Sequence, residues 1–414
     1  MKWTLRLKTS FMMGLGVCSL PAIAGIQTSI AESILLPLTS GYATGLTLCL
    51  NDPAPLSYPD RGFKEVAATT QAGKMIGYLE GWMPPIPAAN IKKAGYTHVL
   101  IAFGVFSTTT PGRIVSAASA IDRAYIQSLQ AEGISVLLSI GGASSSLPNT
   151  TVNFNDVVAA ASSPEVFKAN FIASLDGFVR DDGYDGFDFD IEQGFIPDGS
   201  FTNPTGNIAM LADIINAFHA KNPNHLLTLA PQIANISATS GFNATFGNYS
   251  SLVMQTHASL AWVGIQLYNS GCAYGIDLIC YDPNTSTTTP DPAVAFATDL
   301  LTNWPAQTPT GQATGFQPYK AYLSPSQVVL GYPVKNASGI SDGSPAAVIP
   351  VIKRAIQCLN TKKIGPTECD TYTAPVEMPF GIGGVFSWTI NDDATTGYAF
   401  ATGLSPCVVK GICT

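Results

Sequence analysis

The chain has 414 residues, of which 46% are hydrophobic and 12% are charged, and its formal net charge is -8. This length is enough for one large domain or two small ones, and the composition excludes a disordered chain or a coiled coil. Because an acidic surface repels phosphate, we expect no nucleic-acid partner, whereas a neutral or cationic substrate is compatible with the charge.

The first 24 residues have the pattern of a secretory signal peptide. Basic residues precede an apolar stretch from Phe11 to Ala24, which ends in small residues. The stretch is shorter than the roughly 20 residues of a membrane span, which favours cleavage after Ala24 over a membrane anchor. We therefore expect a secreted protein without a membrane attachment. Its net charge would be -8 - 3 = -11, because cleavage removes Lys2, Arg6 and Lys8.

Residues 25–73 are interpreted as an N-terminal extension or linker. They contain an apolar stretch, Ile34 to Leu50, and a proline-rich piece over residues 52–59. The segment is too short and too poor in aromatic residues and cysteines for a usual carbohydrate-binding module, and we assign it no function.

The cysteines indicate local disulfides in an oxidising compartment. Six of the seven that remain after cleavage form three close pairs, which predicts disulfides 272–280, 358–369 and 407–413 and leaves Cys49 free. Reduced thiols in the core are the alternative. Because the chain has no C-x-x-C motif and its histidines do not cluster with the cysteines, we expect no metal, and we expect no cofactor.

Eight short apolar runs follow one another from Lys74 onward and predict strands. They are Met75–Leu79, Thr97–Phe103, Ile134–Ile140, Gly186–Ile191, Leu226–Ala230, Trp262–Tyr268, Gln327–Tyr332 and Gly384–Ile390. Helical periodicity lies between several of them, over Pro164–Val179, Ile208–Ala220 and Ala346–Leu359. Eight such units in about 330 residues fit a closed (β/α)8 barrel, with a doubly wound open sheet as the alternative.

Polar and aromatic side chains occur where these apolar runs end. In a (β/α)8 barrel the functional residues cluster at the carboxyl ends of the strands, so we expect a site built from these positions. They are Glu80, Trp82, Ser139, Glu192, Gln232, Tyr268, Asn269, Trp388 and Asn391.

The fourth predicted strand carries a row of three acids. Since alternate residues of a strand share a face, Asp188, Asp190 and Glu192 point to one side of it and apolar residues to the other. Crowded carboxyl groups cannot all ionise, so one retains a proton near neutral pH, as a general acid requires. The row is therefore suited to acid-catalysed cleavage of a bond with a poor leaving group, such as a glycoside.

Two other interpretations of the row are weaker. A solvated edge strand explains the alternation, but not three like charges at successive positions on one face. A calcium loop requires glycine at its sixth position, where this chain has Gln193.

At this point the chain resembles the family 18 glycoside hydrolases, over roughly residues 74–400. The segment Asp185-Gly-Phe-Asp-Phe-Asp-Ile-Glu192 matches the specific family signature D-G-x-D-x-D-x-E. Further motifs agree in chain order: S-x-G-G at 139–142, A-P-E/Q at 230–232, Q-x-Y-N at 266–269, and the eighth-strand motif at 384–388. Two places depart from the family, the Tyr332-Pro333 pair and the segment after Trp388, and they leave the substrate subsites open.

The resemblance implies roles for the matched residues. Glu192 would protonate the glycosidic oxygen, and the N-acetyl carbonyl of the substrate, rather than a protein side chain, would attack the anomeric carbon. Asp190 would bind the acetamido N–H, and Asp188 would share a proton with it, with Ser139 nearby. Tyr268 would donate to the acetamido carbonyl beside Gln266 and Asn269. Trp388 would stack under the sugar, and weaker candidates for the cleft are Gln232, Tyr78, Phe103 and Trp82.

The resemblance implies hydrolysis of β-1,4 bonds in chitin or chito-oligosaccharides, by a protein that we expect to be a monomer. An endo-β-N-acetylglucosaminidase acting on glycoprotein glycans would use the same acids, and Trp388 with the Q-x-Y-N set favours chitin. A chitin-binding lectin on an inactive barrel is a third possibility, but inactive relatives usually lose the glutamate that this chain retains at Glu192.

We expect the catalytic barrel at 74–404, with 405–414 as a C-terminal tail held by a local disulfide. Many exo-acting relatives carry a small α+β domain between the seventh and eighth strands. Here only residues 333–382 separate those strands, which leaves no room for a further domain beside a helix. The cleft is therefore predicted to be open, and the enzyme to act in an endo manner.

Overall fold

The computed structural model describes residues 73–195, 207–237, 249–305, 310–311, 318–342, 346, 348–361, 369–374, 379 and 381–413. The expected signal peptide, the extension up to residue 72 and Cys49 lie outside the described residues. The same holds for parts of the stretch between the seventh and eighth barrel strands.

The elements alternate along the chain as the apolar runs predict. The strands are β1 (Lys74–Glu80), β2 (His98–Ser107), β3 (Ile114–Ser116), β4 (Ser135–Gly141), β5 (Thr150–Thr151), β6 (Gly186–Asp190), β7 (Leu226–Leu229), β8 (Trp262–Gln266), β9 (Ala273–Tyr274), β10 (Cys280–Tyr281), β11 (Val328–Pro333) and β12 (Gly384–Trp388). The α-helices are α1 (Ala88–Ala94), α2 (Arg123–Ala131), α3 (Phe154–Ala159), α4 (Pro164–Gly177), α5 (Asn207–Lys221), α6 (Tyr249–Thr256), α7 (Asp291–Leu301), α8 (Ile349–Leu359), α9 (Ile390–Thr395) and α10 (Ala399–Lys410).

Eight of these strands form a closed parallel barrel. Neighbouring strands follow the order β1-β12-β11-β8-β7-β6-β4-β2, and β1 pairs in parallel with both β2 and β12, which closes the ring. The predicted (β/α)8 barrel is thus confirmed, and the doubly wound open sheet is excluded. The short strands β3 and β5 pair antiparallel with the end of β2, and β9 with β10 forms a separate hairpin.

Two apolar clusters lie on the two sides of the barrel wall. The larger one fills the space between strands and helices, and Phe187 and Phe189 of β6 belong to it, packing against Phe218 of α5 and Phe171 of α4. The smaller one fills the barrel interior around Phe386. Because Phe187 and Phe189 point outward, the acids that alternate with them point into the barrel, as predicted.

Some element ends differ from the prediction. β2 continues to Ser107, where it pairs with β3 and β5. β12 ends at Trp388, because Thr389 caps α9 and so turns the apolar run into a helix. Helix α8 begins at Ile349 rather than Ala346, since Pro350 favours the first turn of a helix. The expected boundary after residue 404 falls inside α10.

Three disulfides join the cysteine pairs predicted from the sequence, namely Cys272–Cys280, Cys358–Cys369 and Cys407–Cys413. The first closes the β9–β10 hairpin, and the second ties the end of α8 to the segment that follows it. Within the described part of the chain, no helix combines the length and the apolar character that crossing a membrane requires.

Candidate active site

Asp188 lies inside the barrel and is surrounded by hydroxyl groups. Its backbone neighbours across the sheet are Ser139 of β4 and Thr228 of β7. Ser139 Oγ donates to Asp188 Oδ2 at 2.8 Å, Tyr78 Oη donates to the same oxygen at 2.7 Å, and Thr228 Oγ1 donates to Oδ1 at 2.6 Å. Burial raises the pKa of Asp188, and these three hydrogen bonds act in the opposite direction.

Asp190 is the next acid of the row and is also buried. Gln266, the last residue of β8, donates from Nε2 to Asp190 Oδ1 at 2.7 Å and to the carbonyl oxygen of Ala230 at 2.8 Å. Burial raises the pKa of Asp190 well above its ordinary value, and the charges of Glu192 and Asp188 raise it further. The buried row therefore retains a proton more readily than isolated carboxyl groups in water do.

Glu192 follows β6 and is partly buried at the carboxyl end of the barrel. Burial raises its pKa, a hydrogen bond from Gln266 lowers it, and the charge of Asp342 raises it. The backbone before Glu192 is fixed by Tyr249, whose Oη accepts from the Ile191 N–H at 2.7 Å and lies 3.1 Å from the carbonyl oxygens of Phe189 and Ile191. The geometry thus holds a carboxyl group with a raised pKa at the barrel mouth, as general acid catalysis near neutral pH requires.

Two glycines explain how β4 can lie so close to the acid row. Gly141 has φ of +119°, and a Cβ there would lie 2.1 Å from the carbonyl oxygen of Asp190. A Cβ on Gly142 would lie 2.7 Å from the ring of Phe103. The Gly142 N–H donates to the Asp190 carbonyl at 2.8 Å, a contact that this close approach allows.

Aromatic rings line the barrel beside the acids. Trp388, at the end of β12, is partly buried, and its ring centroid lies 5.8 Å from that of Phe103 and 5.3 Å from that of Tyr78. The Trp388 Nε1–H donates to Asp342 Oδ2 at 3.2 Å. Trp82 is 47% exposed and tilts against Phe103 at 6.3 Å. Three of these predicted residues therefore pack together, whereas Trp82 lies at the rim.

The remaining predicted residues lie on the β7–β8 side. Tyr268 is buried, and burial followed by the charges of Asp190, Glu192 and Asp188 raises its pKa well above the ordinary value, which keeps its hydroxyl protonated as a donor. Gln232 forms a backbone bridge with Gln266. Asn269 is exposed and adopts a left-handed backbone with φ of +50°, which asparagine tolerates.

Three residues of this site were not predicted from the sequence. Thr228 is a lone polar residue in the middle of an apolar strand, and that interruption was a detectable signal. Tyr249 and Asp342 reach the site from a helix start and from a loop, where no periodicity marks them. Asn391, noted as polar at a strand end, accepts from the Glu80 N–H at 2.9 Å and so links the ends of β1 and β12.

The site combines a row of buried carboxyl groups, which ends in a partly exposed glutamate, with an aromatic floor at the carboxyl end of a (β/α)8 barrel. This arrangement is that of a glycoside hydrolase. Among the described residues, no group of three or more histidine, cysteine, aspartate or glutamate side chains is arranged to hold a metal ion.

Comparisons with known proteins agree with this class. The family model of glycosyl hydrolases family 18 matches residues 74–346, and the chain belongs to this family. Chitinase Chi52 of Paenibacillus xylanexedens is 28% identical over 306 residues, which are 72% of this chain and 52% of that protein. The chain spans about half the length of the first curated relatives that it matches.

Solved structures show the same similarity. The crystal structure of the Legionella pneumophila ChiA C-terminal domain is 56% identical, covers 83% of this chain and 100% of that chain, and has a TM-score of 0.78. A family GH18 chitinase from Chromobacterium violaceum is 22% identical, covers 81% of this chain and 83% of its own, has a TM-score of 0.59, and shares the fold.

Proposed function

We propose that this protein is a secreted, monomeric endochitinase, which hydrolyses β-1,4-N-acetylglucosamine linkages with retention of configuration and with Glu192 as acid and base. The observation that carries the proposal is the position of Glu192. It stands with a raised pKa at the barrel mouth, next to the buried Asp190 and Asp188, with Trp388 on the facing wall. Family membership supports the reaction class, and the chitinases among the relatives support the substrate.

In the first step the carbonyl oxygen of the substrate acetamido group attacks the anomeric carbon. The glycosidic bond breaks, its electron pair goes to the leaving oxygen, and that oxygen takes the proton of Glu192. Asp190 accepts a hydrogen bond from the acetamido N–H and stabilises the positive charge of the oxazolinium ion. Tyr268, whose raised pKa keeps its hydroxyl protonated, donates to the acetamido oxygen.

In the second step the Glu192 carboxylate takes a proton from water while the water oxygen attacks the anomeric carbon. The oxazolinium ring opens, the acetamido group of the substrate is restored, and Glu192 is protonated again. Asp188 stays buried throughout and, through its repulsion with Asp190, keeps a proton in the row. The two displacements at one carbon return the original configuration.

The endo mode rests on the short connection between β11 and β12. It runs from 334 to 383, and its only helix or strand in the described part is α8. An α+β domain that would wall one side of the cleft has no room there. Exposed Trp82 and exposed Asn269 on the rim are compatible with a cleft that a polymer enters from the side.

The proposal is tested by incubating the full chain with three substrates: colloidal chitin, a soluble chitin derivative and a high-mannose glycoprotein. We expect sugar release from chitin, none from the glycoprotein, and a fall in viscosity of the soluble derivative well before much reducing sugar appears. Release from the glycoprotein alone would replace chitin by N-glycans as substrate. Viscosity and reducing sugar that change together would contradict the endo mode.

A further inference from the structure

We propose that Asp342 is a positioning residue that holds the indole ring of Trp388 as the floor under the bound sugar. The inference rests on the proposed function, because it assigns to Trp388 the stacking role. Its structural basis is the hydrogen bond from Trp388 Nε1 to Asp342 Oδ2, at 3.2 Å. A carboxylate accepts such a bond more strongly than a neutral group does.

The ring of Trp388 has two aromatic neighbours and this polar contact at its edge. Phe103 stacks on it with an angle of 23° between the planes, and Tyr78 meets it edge-on. These two contacts limit where the ring can lie, and the hydrogen bond at Nε1 selects its rotation. A sugar stacked on the open face depends on that rotation, since stacking requires the ring plane to match the sugar face.

The loop that carries Asp342 is tied to the helix that follows Trp388. The N–H of Ala337 donates to Thr395 Oγ1 of α9 at 2.7 Å. Asn336 closes the loop on itself, donating from its N–H to the carbonyl oxygen of Ile340 at 2.8 Å and accepting from the Ile340 N–H at 3.1 Å. Asp342 is thus held against Trp388 from two sides, through β11 before the loop and α9 beside it.

Two substitutions test the hydrogen bond between Asp342 and Trp388. Asp342→Ala removes both the acceptor and the charge, whereas Asp342→Asn keeps an acceptor oxygen for Nε1 and removes only the charge. Asp213→Ala is a matched control, because it makes the same change of net charge at an exposed position of α5, on the outer layer of the barrel.

Binding is measured in a Glu192→Gln background, by titrating chitotetraose without turnover. We expect Asp342→Ala to weaken binding about tenfold, the loss typical of one hydrogen bond to a charged group. Asp342→Asn should recover most of the affinity, and Asp213→Ala should bind like the background protein. Equal affinity of Asp342→Ala and the background, or an equal loss in Asp342→Asn, would overturn the positioning role. Absence of turnover by the unsubstituted protein would count against the proposed function instead, because the binding experiment does not depend on catalysis.

Discussion

Burying three neighbouring carboxyl groups in the folded protein is electrostatically unfavourable. Three hydroxyl donors stabilise the charge of Asp188, whereas for Asp190 the structure shows the amide of Gln266 as donor. The pKa of Asp190 is accordingly raised well above its ordinary value by burial and by its two acidic neighbours. The folded state therefore binds a proton at Asp190 more tightly than the unfolded chain does, and folding loses stability as pH rises toward the folded pKa.

Asp190→Asn should stabilise the protein at pH 7 while lowering kcat by a factor of at least about 10². Asparagine cannot ionise, and its Oδ1 can still accept from Gln266. Urea unfolding at pH 7 and at a series of lower pH values checks this, because the gain in stability should shrink as pH falls toward the ordinary pKa of aspartate, below which wild-type Asp190 is protonated in both states.

Asp213→Asn is the matched control for that experiment, since Asp213 is exposed and paired with Lys168 on the outer layer. It should show neither the stabilisation at pH 7 nor the loss of kcat. An Asp190→Asn protein that is less stable than wild type at pH 7 would show that the row carries no such cost.

Residues of the site differed in how far the sequence could reveal them. Asp188, Asp190 and Glu192 share a face by strand alternation alone, and Ser139 and Trp388 follow from the rule that functional residues end barrel strands. Gln266 follows from the family motif at 266–269. Tyr249 and Asp342 reach the site through tertiary packing from a helix start and a loop. No local pattern in the chain encodes such an approach.

At the scale of elements, the contact between β4 and β6 positions the acid row. Gly141 pairs with Asp190 across the sheet, and the Gly142 N–H donates to the Asp190 carbonyl. Both glycines have positive φ, and neither has space for a Cβ. The position of the end of β6 therefore depends on glycine at 141 and 142, where a side chain would not fit, as well as on hydrogen bonds.

Gly141→Ala should destabilise the protein and lower kcat, because the added Cβ would lie 2.1 Å from the Asp190 carbonyl oxygen and displace the end of β6. Overpacking of this kind costs about 1–3 kcal/mol beyond the strain of a left-handed backbone. Gly183→Ala is the control, with φ of +85° and no atom within 4 Å of its added Cβ. It should cost only about 1 kcal/mol and keep full kcat.

The measurements are urea unfolding and kcat for both variants. Equal stability losses, or a Gly141→Ala protein with the kcat of wild type, would contradict the positioning of the acid row by Gly141.

The eight barrel strands were predictable in number and type, but not at their ends. The eight apolar runs correspond to the eight barrel strands, because both faces of a parallel strand are buried. The run at Gly384–Ile390 is continuous in the sequence, yet its last residue begins α9, since hydrophobicity does not distinguish a strand end from a capped helix start. The Pro350 signal for α8 was local and was available from the sequence.

On the scale of the whole molecule, closure of the barrel collects residues that are far apart in the chain. Tyr78 and Asp188 are 110 residues apart and are joined by a hydrogen bond of 2.7 Å, and Glu80 is linked to Asn391 across 311 residues. Periodicity could not decide between this ring and an open sheet, because the deciding pairing of β1 with both β2 and β12 is non-local. The resemblance to the family signature, rather than periodicity, favoured the closed barrel.

The anomer that hydrolysis releases first shows whether the substrate acetamido group is the nucleophile and Glu192 the acid and base. Proton NMR of the first products from a β-linked chito-oligosaccharide distinguishes the anomers before mutarotation, with Glu192→Gln as a control that should be slower by at least about 10²-fold. Substrate-assisted catalysis with Glu192 as acid and base predicts that the β-anomer appears first. The α-anomer appearing first, or a folded Glu192→Gln protein with near-normal turnover, would contradict the account.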